Sequence, residues 1–225
     1  MTMRSSPAVL LASVLLGCTD AAQPAREAPY DYAFDCTVDG CGNLFGDLQL
    51  VFRWPAEALP VRIWVRPGSD LHTPAARAIE LWEAVALYGE FRAVLVRDSL
   101  AADVAFLRGS PVSNQTSNPG NPAATPNDCE GWTTFGIFEA DTTIQLPRIT
   151  TISPRAGRSQ RDLEDCFIVV AAHELGHSLG LFHHSDDAED LMNGRPRLAQ
   201  LSPRDRATFA RLYHSTPTVR LPDGR

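Results

Sequence analysis

One run of residues limits what this chain can fold into more than any other feature. His173-Glu174-Leu175-Gly176-His177-Ser178-Leu179-Gly180-Leu181-Phe182-His183 sets two histidines four apart, then a glycine, then a third histidine. Residues four apart share one face of an α-helix, so His173 and His177 can aim both imidazoles at one point. Leu163, Phe167, Val170, Leu175 and Leu179 recur at helical spacing, which predicts a helix with one buried face over Arg161–Gly180. Gly180 can take the left-handed conformation that ends a helix and turns the chain back, which would carry His183 to the same point. Three imidazoles with one position left open are the ligand set of a catalytic zinc, since a closed structural site uses four. Glu174, beside the first ligand, is placed to reach water near such an ion without ligating it. Five fixed positions of this kind should arise by chance in about one chain in 10⁵, so scattered helix histidines are a poor account of them.

The rest of the chain supplies elements of ordinary length. Leu59 to Val65 alternates Val61, Ile63 and Val65 with Arg62 and Trp64, a strand pattern ended by Pro67. Thr73 before Pro74 predicts an N-cap, and Ala78, Leu81, Trp82, Val85 and Tyr88 continue a helix as far as Gly89. Phe91–Val96 and Val104–Leu107 are apolar runs of strand length. Ser110–Glu130 is rich in Asn, Pro, Ser and Thr and reads as a long loop. Trp132–Phe138 and Thr142–Leu146 read as two more short strands, and Ser202 before Pro203 caps a last helix running to Tyr213.

The N-terminal end has the order of a targeting segment. Arg4 precedes the apolar stretch Ala8–Leu16, and Leu15-Leu16-Gly17-Cys18 resembles a bacterial lipobox, in which Cys18 would be acylated. Residues Thr19 to Tyr32 then read as a flexible tether. The expected organisation is a leader over 1–17, a tether and N-terminal segment over 18–44, a catalytic domain over 45–216 and a tail over 217–225. This makes the chain an exported bacterial lipoprotein held at a membrane surface by its lipid alone, on the periplasmic or cell-surface side, or otherwise a secreted protein. Cys36, Cys41, Cys129 and Cys166 form an even set in an exported chain, which favours two disulfides. Of the three connectivities, we favour Cys36–Cys41 with Cys129–Cys166. The chain contains no lysine, and all 20 of its basic residues are arginine, a usage similar to that of GC-rich bacterial genomes. A formal net charge of -7 gives no basic footprint for nucleic acid.

The zinc-binding run resembles that of the metzincin endopeptidases, and most closely their matrixin branch and its bacterial relatives. Leu191-Met192-Asn193 resembles the family's Met-turn, although Met192 lies nine residues beyond His183, one more than the usual matrixin spacing. The doubled His183-His184 leaves the third ligand to be chosen by register from Gly180, which points to His183. Asn193 stands where several metzincins have tyrosine, no cysteine-switch motif precedes the domain, and His72 and His214 read as surface residues. The resemblance implies an α+β fold: a twisted, mostly parallel sheet with an antiparallel edge strand, an active-site helix, a Met-turn and a C-terminal helix. It implies one catalytic Zn²⁺ on His173, His177 and His183, and Glu174 as general base in peptide hydrolysis. It also implies a peptide or protein substrate laid on the edge strand, here Thr133, Thr134, Phe135, Gly136, Ile137 and Phe138. The chain is expected to act as a monomer, and any calcium requirement is left open. A zinc-containing surface binding or adhesion module without turnover is the alternative, but binding needs no base beside the first ligand.

Overall fold

The structure is a computed structural model and describes residues 28–35, 49–112, 129–134, 136–138, 142–156 and 159–224. The leader, Cys18, Cys36, Cys41 and most of the long loop after Ser110 lie outside the described residues. Two short strands come first, β1 (Phe34–Asp35) and β2 (Gln49–Leu50), paired antiparallel. In β3 (Val61–Val65), Val61, Ile63 and Val65 are buried and alternate with half-buried Arg62 and Trp64. Next come α1 (His72–Glu83), β4 (Ala93–Val96), β5 (Val104–Arg108), β6 (Cys129–Thr133), β7 (Ile137–Phe138), β8 (Thr143–Ile144) and β9 (Arg148–Pro154). Two helices close the chain, α2 (Gln160–Leu179) and α3 (Pro203–Tyr213).

The main sheet has the order β4-β3-β5-β9-β6. Its first four strands are parallel and β6 runs antiparallel to β9 at the margin. The fold is therefore α+β, with a mostly parallel sheet and an antiparallel edge strand. Helix α2 packs against α1 on one side and against β6 and β9 on the other. Trp82 fastens the helix pair, its indole N–H donating to Ala172 O at 2.8 Å.

Several elements differ from the sequence expectation, three of them near the site. Helix α1 starts at His72 with Leu71 as its cap, not Thr73, and no side chain caps it; Ser69 instead accepts from Leu71 N. It stops at Glu83, whose carboxylate accepts from Ala93 N at 2.8 Å and ties the helix end to β4. β9 was not anticipated, because its inward positions include Arg148 and Thr150, polar residues that the sheet nevertheless buries. The strand expected over Trp132–Phe138 is divided. β6 ends at Thr133, since Thr134 turns its hydroxyl to Ile149 N at 3.1 Å, and Ile137–Phe138 pairs with β8 instead.

Cys129 and Cys166 are joined, with Cα atoms 6.1 Å apart, so the first residue of β6 is covalently tied to α2. Closing 37 residues in this way is worth about 4 kcal/mol on a chain-entropy model. The chain also packs against the domain before and after it. Tyr30 and Tyr32, expected within a flexible tether, and Ala33 just after it are buried. So is Val219, whose N–H donates to Val51 O at 3.0 Å.

Candidate metal centre

The C-terminal half of α2 is buried on every side from Ala171 to Leu179, so its polar residues need partners other than water. Its end is locally determined. Gly180 has φ +111°, its N–H donates to His177 O, and Leu181 N donates to Gly176 O, a Schellman arrangement. A side chain on Gly180 would collide with Phe52 O, so only glycine lets the helix end against the core. Trp54 supplies a further donor, its indole N–H reaching Ser178 O at 3.1 Å.

His173 and His177 face the same point, with ring centroids 4.6 Å apart. Each ring is oriented by a backbone carbonyl: His173 Nδ1 donates to Leu191 O at 2.7 Å, and His177 Nδ1 donates to Leu181 O at 2.6 Å. A carbonyl can only accept, so both protons sit on Nδ1 and both Nε2 lone pairs point into the site. The third ring is that of His184. Donor atoms of His173, His177 and His184 all lie within 4.8 Å of one another. His177 Nε2 and His184 Nε2 are 3.2 Å apart. Two nitrogens about 2.05 Å from one tetrahedral ion would be separated by about 3.3 Å. His173 Nε2 is buried with no hydrogen-bond partner, a buried acceptor that a cation would satisfy. The donor set therefore fits a zinc ion.

His183 is not brought into this group. Its ring lies against Phe34, at 5.9 Å between centroids. Leu181 and Phe182 are both buried, and Phe182 N is bonded to Tyr32 O, so the chain reaches the site one residue later than register from Gly180 predicts. Ser185, next to His184, is fixed to the Met192 turn by its N–H on Met192 O at 2.8 Å and by Asn193 Nδ2 on Ser185 O. Counted from His184, Met192 lies at the usual spacing of eight residues; the one-residue excess seen from His183 was the signal for this.

Met192 is fully buried in a tight turn in which Asn193 N donates to Asp190 O. It lies under α2, where a Cβ on Gly176 would stand 2.5 Å from its Sδ and 2.7 Å from Trp82. Asp205 holds the turn from α3, accepting from Leu191 N at 2.7 Å, Met192 N at 3.3 Å and the Tyr30 hydroxyl at 2.9 Å. It also completes the capping box with Ser202 that starts α3.

Burial governs the charges. It lowers His173 to about 3, helped by His184 and opposed by the Leu191 bond, and it lowers His177 well below the usual histidine range. His184, which opens to solvent, is lowered by partial loss of hydration and by His183. All three are neutral at physiological pH, which is the metal-binding form. Burial pushes the Glu174 carboxyl up to about 8, and a hydrogen bond from Thr133 opposes the shift. That bond, Thr133 Oγ1 to Glu174 Oε2 at 2.6 Å, joins the edge strand to the helix.

Residues 67–214 match the family described as matrixin. The chain belongs to the matrixin family. Matrixins are zinc-dependent proteases, so at the level of its family this chain is a metalloprotease acting on peptides or proteins, and its three-histidine group is a site able to hold zinc. No curated protein matches the chain. Of the matrixin substrate strand expected at Thr133–Phe138, only Thr133 lies in the observed edge strand. Thr134 and Gly136 follow it, Ile137 and Phe138 form β7, and Phe135 lies outside the described residues. His72 and His214 are exposed and lie apart from the three-histidine group.

Proposed function

We propose that this matrixin is a zinc-dependent endopeptidase in which His173, His177 and His184 hold one zinc and Glu174 is the general base. The observation that carries this reading is a set of three neutral imidazoles, two of them with Nε2 atoms 3.2 Å apart, beside a buried carboxyl. Bound there, zinc would supply Lewis acidity, making water a nucleophile near neutral pH and polarising a peptide carbonyl. Glu174 moves the proton. Raised by burial to about 8, it is close enough to neutrality to take a proton from the attacking water and return it to the leaving amine. β6 receives the substrate: no other described strand pairs with its outer edge, and exposed backbone groups there can pair with any extended peptide.

Incubation of the mature protein with a mixed peptide library tests this. Hydrolysis is expected with zinc, should stop on chelation and should return when zinc is restored. Stoichiometric zinc binding with no peptide bond cut would instead support a zinc-containing surface module.

We further propose that the chain is an exported bacterial lipoprotein acylated at Cys18. The supporting residues are Arg4, Ala8–Leu16 and Leu15-Leu16-Gly17-Cys18. Residues from Thr19 to the buried Tyr30 would tether the domain close to the membrane surface. Cys18→Ser should move the protein to the soluble fraction or block leader processing while zinc content stays the same. Equal membrane association of both forms, with an unmodified N-terminus by mass spectrometry, would rule out the anchor.

A further inference from the structure

We propose that Thr133 is a positioning residue for Glu174, and that Gly131, Thr133 and Thr150 form a seat from which the edge strand holds the base. The inference rests on the peptidase reading above and adds to it how the base is aimed.

A strand turns alternate side chains to one face, and in β6 the buried positions are Cys129, Gly131 and Thr133, beside α2. Gly131 provides space. A Cβ built there would fall onto Glu174 Oε1 and would stand 2.6 Å from Glu174 Cγ and 2.5 Å from Val170 Cγ1, so only glycine leaves room for the carboxylate. Thr133, two residues on, provides direction: its hydroxyl is 2.6 Å from Glu174 Oε2 and 3.2 Å from Glu174 O. The same hydroxyl is 2.9 Å from that of Thr150, its cross-strand partner on β9.

The direction of these bonds follows from chemistry. As a general base Glu174 acts in its carboxylate form, which has no proton to give, so in that form Thr133 donates to Oε2, and its oxygen is then left to accept from Thr150. Two hydroxyls in series polarise each other, and here they do so away from water, since Thr133, Thr150 and Glu174 are all at most 3 % exposed. Oε2 is thereby pinned and Oε1 is kept for the reacting water. A glutamate has three rotatable bonds, and fixing them before substrate arrives keeps the base in its productive geometry. The strand that would pair with an extended substrate is thus also the strand that aims the base.

The test compares Thr133→Val, Thr133→Ser and Thr150→Val. Loss of one hydrogen bond to a charged group corresponds to about a tenfold change. Thr133→Val should lower kcat about tenfold with KM within about twofold and zinc content unchanged, and Thr133→Ser should restore most of the rate. Thr150→Val should give a smaller loss of the same kind. A second measurement needs no turnover. In zinc-free protein, Thr133→Val should shift Tm more when Glu174 is present than on a Glu174→Ala background, where only the contacts to Thr150 and to Glu174 O are lost. Equal kcat for the valine, serine and native forms, or the same Tm shift on both backgrounds, would overturn the seat. If zinc-loaded native protein cuts no peptide, the peptidase reading fails, and the Tm comparison alone decides whether Thr133 holds Glu174.

Discussion

The C-terminal half of α2 and the segment from Leu181 to Met192 both supply the metal centre, and they do so by different physics. On α2, His173, Glu174 and His177 are placed by helical spacing, and the helix ends where Gly180 lets it end. The following segment contains no helix or strand. It is held by single contacts: Ser185 N on Met192 O, Asn193 on Ser185 O, and Asp205 on the amides of Leu191 and Met192. Arg204 clamps its outer side through Asp186 and Asp187. A helix carries register along the chain because every turn repeats one hydrogen bond. A loop absorbs an extra residue at little cost, so which of two adjacent histidines arrives depends on what is buried around them.

The sharpest way to break this comparison is to remove the two histidines separately. His184→Ala should weaken zinc binding by more than about 10²-fold and abolish hydrolysis, whereas His183→Ala should change zinc affinity by less than about threefold. A competition titration against a chromophoric chelator measures both. The opposite ranking would mean that the loop changes register when zinc binds.

On the helical side, Glu174→Gln should lower kcat by about 10² to 10⁴-fold while zinc affinity stays within a few-fold, since the residue lies outside the ligand set. Loss of zinc in this variant would show that the helix does not separate the two roles.

Asp205 tests how far the loop depends on contacts from α3. Asp205→Asn should destabilise the protein by about 2 to 3 kcal/mol in urea unfolding, because a buried carboxylate accepting several bonds is replaced by a group with half its acceptors. Arg204→Ala, which removes ion pairs to Asp186, Asp187 and the buried Asp190, should cost less, about 1 kcal/mol, because Asp186 and Asp187 are solvated and Asp190 keeps its bonds from the Ser185 and Ser202 hydroxyls. Equal losses would mean that the outer clamp matters as much as the inner one.

A comparably small effect concerns Tyr30, whose hydroxyl reaches Asp205. Burial, followed by Asp205 and then Asp190, raises its phenol well above 10, and burial also raises Tyr213. A folded pKa above the unfolded one gives stability that is complete below about pH 10 and is lost as pH rises through the folded values. Absorbance titration should therefore show late-ionising phenols in the native chain and one fewer in Tyr30→Phe. That variant should lose about 1 kcal/mol at neutral pH.

Legibility in the sequence followed the range of the forces involved. β3, α2 and the capped start of α3 could be read locally, from alternation, helical spacing and the Ser202-Pro203 signal. β9 could not, because Arg148 and Thr150 look like surface residues until the sheet and the rings of Phe52 and Phe182 cover them. The edge strand was misplaced by several residues. Its inner limit is set by Thr134 turning to Ile149 and by the β7–β8 pairing, neither of which leaves a local pattern. Thr133 was assigned to the substrate strand, but its contact with Glu174 exists only once β6 packs on α2.

By itself, the sequence determined that two histidines and a glutamate share one helix and that a glycine ends it, because 3.6 residues per turn and a left-handed φ are local facts. Only the tertiary structure decided that His184 joins them and that His183 lies against Phe34. That choice depends on Phe182 being buried and on Ser185 being bonded to Met192, contacts between segments that no spacing rule connects.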